Sequence, residues 1–121
     1  MEEKELLRQF GEMFIEEVRT RTLWQMDKIF SGELKGEDAQ KLHAKLAHFS
    51  PEDMEVIREI STDAVDRALF KVMNMFETTE DFIIGAVNDD EIVNLNDVSD
   101  GLGGDYFGWV EEFEKSEDDD D

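Results

Sequence analysis

The chain contains no cysteine, and only one proline (Pro51), one tyrosine (Tyr106) and two histidines among its 121 residues. Without cysteine there is no disulfide framework, no thiolate nucleophile and no thiolate metal ligand, which fits a reducing compartment. The two histidines, His43 and His48, cannot share a zinc ion on one helix. Paired ligands there need a spacing of three or four, so these rings point apart. No apolar run approaches the roughly 20 residues that span a bilayer. The start, MEEKELLRQF, is acidic where a secretory signal is basic and then apolar. A soluble, cytoplasmic protein is expected. Bases are also scarce: 12 stand against 33 acids, for a net charge of −21. After residue 79 the only base is Lys115, against 16 acids. Such a field repels nucleic acid and anionic membranes, whose phosphates demand Lys and Arg. It attracts a cationic protein or a divalent metal, and it also serves solubility.

The apolar fraction, 40%, is enough for one core in a single domain, expected over residues 1–116. The clearest start signal lies at Phe49-Ser50-Pro51. Ser50 can cap a helix, Pro51 falls at its first position, and Asp53 completes a variant capping box. Ile57, Ile60, Ala64, Ala68, Val72 and Phe76, widened by Val65, Leu69 and Met73, then predict a helix over 51–77 packed on more than one side. Upstream, Leu6, Leu7, Phe10, Met13, Phe14 and Val18, continued by Trp24, Ile29 and Phe30, predict a helix over 2–30. Thr20 and Thr22 weaken it locally. A shorter helix is expected over 37–48, turning Ala39, Leu42, Leu46 and Phe49 to the core.

After Thr79 the pattern changes. The β-branched run near 82–87, the turn residues Asn88-Asp89-Asp90 and the run near 91–95 predict a hairpin. Alternation of Trp109, Glu111 and Phe113 predicts a third strand near 108–114, with Trp109 and Phe113 either core or interface. The acids of 117–121 read as a disordered tail. The fold class expected is α+β: three helices, then a small antiparallel sheet.

No catalytic signature emerges. Placing Gly101 at the glycine of a calcium loop puts Val98 and Phe107 at ligand positions, so that motif fails. Gly101, Gly103 and Gly104 lack the lysine and spacing of a phosphate loop. Ser50, Ser61 and Ser99 have no nucleophile-elbow context. No catalytic residue, metal ligand or cofactor is therefore assigned. The mixture of aromatics and acids in the last third instead resembles a protein-binding face, with anchors rimmed by charge. The candidate partner-binding residues are Asp89, Asp90, Glu91, Asp97, Asp100, Asp105, Tyr106, Glu111 and Glu112.

The segment Asp97-Val98-Ser99-Asp100-Gly101-Leu102-Gly103-Gly104-Asp105, followed by Gly108-Trp109-Val110, resembles a group of small bacterial proteins. In these a Ser-Pro-initiated helix precedes a DGLxG[ED] loop and a Gly-Trp strand. Ser50-Pro51 and Val65-Asp66-Arg67-Ala68-Leu69 fit the same outline, over roughly residues 40–115. Proteins of this kind are similar in size and acidity to immunity proteins encoded beside bacterial toxins. The resemblance implies an interaction role over an enzymatic one, identifies no partner and assigns no catalytic residue. Together with the charge, the function expected is an acidic binding protein of immunity or inhibitor type that neutralises a basic toxin or nuclease partner. The alternatives are a non-catalytic structural or regulatory domain, a divalent-metal-binding protein, or an enzyme.

Overall fold

Residues 3–31 run as one unbroken helical rod, although its hydrogen bonding changes in the middle. A computed structural model describes residues 1–114. The acidic segment 117–121 lies outside the described residues. Helix α1 (Glu3–Phe14) leads into a π-helical stretch, Ile15–Thr20, and this into α2 (Arg21–Ser31). The weakness expected at Thr20 thus appears as a wide turn and not as a break. π-helical bonding reaches one residue further than an α-turn and so shifts which side chains face inward. Leu6, Leu7 and Ile15 are buried together with Arg19, whereas Met13, Val18 and Trp24 remain 58%, 38% and 42% exposed. A regular helical stripe had placed those last three inside. Gly32, at φ 80, ends α2 in the left-handed region that glycine adopts freely.

Helix α3 (Glu37–Lys45) is shorter than its apolar pattern suggested. Leu42 and Phe49 are about half exposed, not core residues. Helix α4 (Pro51–Thr78) starts as its sequence dictates. The Ser50 hydroxyl accepts from the Asp53 N–H at 3.1 Å, and the Asp53 carboxylate accepts from the Ser50 N–H at 3.1 Å.

Next comes a single antiparallel hairpin, β1 (Gly85–Asn88) and β2 (Glu91–Asn94), in the register Ala86↔Val93 and Val87↔Ile92. Its first turn residue, Asp89, has φ 57. That left-handed geometry is tolerated by Asp and suits the twist of a two-residue hairpin loop. One turn of helix, α5 (Leu95–Val98), then leads to α6 (Leu102–Phe113).

Helix α6 corrects the expected third strand. Leu102, Tyr106, Trp109 and Phe113 are spaced by four, three and four, and all four are buried. That is helical periodicity, and burial of this face outweighs the poor helix propensity of Gly103, Gly104 and Gly108. Gly103 is small for a reason: a Cβ there would lie 2.8 Å from the Phe70 ring of α4. The core forms where α1, α4 and α6 meet. Phe10 stacks on Phe14 at 5.6 Å and meets Trp109 edge-on at 5.7 Å. Trp109 and Phe113 are therefore core. By contrast, α4 is deeply covered only around Met73, which is fully buried, and Val56, Ile60, Val72 and Met75 are exposed.

Candidate functional site

The hairpin presents two different faces. Ala86 and Val93 are partly buried and pack against the core, so strand alternation turns Val87 and Ile92 outward, directly opposite each other. They are 72% and 64% exposed, and Phe82, just before the hairpin, is 70% exposed. The hairpin is fixed at both ends. The Leu95 N–H donates to the Ile84 carbonyl at 2.9 Å, and Asn88 exchanges hydrogen bonds with Met1, its amide donating to the Met1 carbonyl at 2.9 Å. This second contact brings the hairpin tip beside the acidic first turn of α1.

Asp89, Asp90 and Glu91 occupy the tip and its first returning residue, all exposed. Asp97 and Asp100 are exposed on α5 and the bend after it, and Glu111 is exposed on α6. Asp105 is half-buried and accepts from the Ser99 hydroxyl, which itself accepts from the Gly101 N–H at 2.8 Å. Its carboxylate therefore helps hold the bend into α6. Glu112 is exposed and already engaged, accepting from the Arg8 guanidinium at 2.9 Å. Between residues 72 and 114 there are twelve acids and no base. Among the described residues, no group of three or more His, Asp or Glu is placed to hold a metal ion.

Tyr106 must be removed from the binding face, because it is fully buried. Its hydroxyl donates to Asp66 Oδ1 at 2.7 Å. Arg19, from the π-helical stretch, donates to both oxygens of the same carboxylate, at 2.7 and 3.2 Å, and to Glu114 at 3.2 Å. Burial alone would push the Asp66 carboxyl up, but hydrogen bonds from Arg19 and Tyr106 outweigh it and hold the group below its ordinary range. Burial, then the bond to anionic Asp66, raises the Tyr106 phenol above its usual value. Burial likewise opposes the Arg19 charge, and the Asp66 bonds more than restore it. The network joins α4, α6 and the π-helical stretch through hydrogen-bonded polar groups. A buried polar network satisfied in this way rigidifies the elements it ties together.

By class the chain is α+β, mostly helical with a small two-stranded antiparallel sheet. No protein-family model, curated protein or solved structure matches it. No helix among the described residues is long and apolar enough to cross a membrane.

Sequence reasoning missed the apolar anchors of this surface. Val87 and Ile92 belong to a hairpin pattern that fits a sheet covered on either face. The face of Val87 and Ile92 stays open because the core packs on the face of Ala86 and Val93.

Proposed function

We propose that this chain is an acidic protein-binding module that docks a cationic protein on the outer face of its hairpin. The reading extends to an inhibitor of immunity type, neutralising a basic toxin or nuclease domain. The chain acts by binding and carries no catalysis of its own. The observation that supports this is the exposed Val87–Ile92 pair rimmed by Asp89, Asp90 and Glu91 in a stretch without a single base. Carboxylates steer a basic partner and occupy the positions that phosphates take on a nuclease. Electrostatics gives rate and selectivity, while tight binding needs an apolar anchor, which the cross-strand pair and Phe82 supply.

The test begins with capture of cationic proteins from a bacterial lysate, followed by association kinetics with whatever is retained. D89N/D90N/E91Q/D97N/D100N is expected to slow association by about tenfold or more at low salt, a difference that shrinks as salt rises. V87S/I92S is expected to act on dissociation instead. Failure to retain any cationic protein would overturn the reading. So would saturable heat with calcium or magnesium, accompanied by a raised melting temperature and no protein partner.

A further inference from the structure

Helix α4 carries a second apolar row that nothing in the described chain covers. Ile60, Ala64, Ala68 and Val72 recur at intervals of four, all exposed, with Ile60 at 63%. Beside it runs a charged row, Glu59, Asp63, Arg67 and Lys71, spaced by fours and also exposed. Residues four apart form one ridge along a helix surface, so these are two neighbouring ridges. The order of signs along the second is acid, acid, base, base.

Within one helix that order is unfavourable. Glu59–Asp63 and Arg67–Lys71 are like-charge neighbours at i, i+4, which destabilise a helix, and only the middle pair attracts. Arg67 does reach Asp63 at 2.6 Å. The macrodipole does not account for the order, because its effect fades within the terminal turns and this row lies mid-helix in Pro51–Thr78. A second α4 laid antiparallel, with the two-fold axis near Val65, relieves both of these like-charge pairs. Glu59 then faces Lys71 of the second copy, Asp63 faces Arg67, and both pairs repeat by symmetry. In the same register the apolar row lies alongside, with Ala64 and Ala68 as small side chains near the centre, where the backbones come closest. A parallel pairing would set each charge against itself.

From this we infer that the chain forms a two-fold dimer through antiparallel packing of α4 on α4 of a second copy. The long-range charge permits it. Residues 21–71 hold ten acids and eight bases, whereas the twelve uncompensated acids lie downstream, in residues 72–114. The dimer therefore joins the least charged part of each molecule. The apolar row also borders a groove of about 590 Å³ between α2, α3 and α4, lined by Ile29, Phe30, Leu42, Leu46 and Val65. The last seven residues, 115–121, contain no apolar side chain that could cover either surface. One helix pair of this length belongs at the small end of specific interfaces, and micromolar association follows.

Sedimentation equilibrium at about 100 µM, above the dissociation constant expected of such an interface, is expected to give a dimer. R67E/K71E and E59K/D63K are each expected to weaken self-association by about tenfold or more, since like charges then face one another. An equimolar mixture of the two variants is expected to dimerise again. So is E59K/D63K/R67E/K71E, which inverts the row and restores its self-complementarity. Circular dichroism checks that each variant folds. None of these positions lies on the hairpin, so the dimer stands or falls separately from partner binding there. A monomeric wild type at that loading overturns the inference. A dimer unaffected by R67E/K71E does so too, as does a mixture of folded complementary variants that stays monomeric.

Discussion

Replacing Asp66 by alanine removes the acceptor shared by Arg19 and Tyr106. The loss can be sized from the geometry. The Arg19 side chain is 5% exposed and the Asp66 side chain 25% exposed, so the pair is shielded from water on the guanidinium side. Breaking a buried pair from one side costs about 3–5 kcal/mol, because it leaves an uncompensated charge. Glu114 remains within reach of Arg19 but is more than half exposed, and the opening at Asp66 admits some solvent. The lower end of that range applies, even after about 1 kcal/mol or more for the stranded Tyr106 hydroxyl. We expect D66A to lose about 3–4 kcal/mol in urea unfolding. R19M/D66A should recover part of it, giving a coupling of about 2 kcal/mol in a double-mutant cycle. The pH dependence follows in sign. The folded Asp66 pKa is depressed, so its contribution is present above the unfolded value near 4 and is lost as pH falls through the folded value. A D66A loss below about 1 kcal/mol, or additive single losses in the cycle, would refute a network held by paired charge.

Tyr106 is the only tyrosine, so the ultraviolet absorbance of its phenolate reports that one group. Its folded pKa is raised, so its stabilising term is complete below about pH 10 and declines above it. Phenolate should therefore appear at higher pH in the native protein than in urea, and an unchanged midpoint would deny burial. Gly11→Ala would ordinarily stabilise a helix, but the new Cβ would lie 2.5 Å from three atoms of the Trp109 ring. Here it is expected to cost about 1–3 kcal/mol in denaturant unfolding. Ser50→Ala should cost about 1 kcal/mol by the same assay, through the lost bond to the Asp53 N–H.

Local chemistry was legible wherever it was decided locally. The capping box at Ser50 and Asp53, the turn at Asp89-Asp90 and the strand 91–94 all follow from neighbouring residues. Helix α6 was not legible in the same way. Three glycines argue against a helix, and Trp109, Glu111 and Phe113 happen to alternate. The spacing of Leu102, Tyr106, Trp109 and Phe113 was the better guide, since a helix buries all four on one side. The Arg19–Asp66–Tyr106 network was beyond reach. Its members lie 47 and 40 residues apart, and Arg19 reaches inward from the π-helical stretch. The acids of the proposed binding surface were named from charge alone. Its anchors were not, because alternation marks two faces of a strand without saying which one is covered.

The π-helical stretch has a consequence for how this chain can vary in length. A wide turn holds one residue more than an α-turn, so it offsets the two halves of the rod by roughly 100°. Helix α1 thereby presents Phe10 and Phe14 to α6, while α2 turns Ile29 and Phe30 towards the groove. The spacing between Phe14 and Arg21 is thus a structural quantity apart from the side chains that fill it. Exchanging the exposed Glu17 for another polar residue should leave the fold nearly unchanged. Deleting it should restore regular α-helical phase, draw Arg19 away from Asp66 and rotate every side chain of α2. In the middle of an ordinary-looking helix, the exposed positions of this stretch should tolerate changes of letter, while the stretch as a whole should resist changes of count.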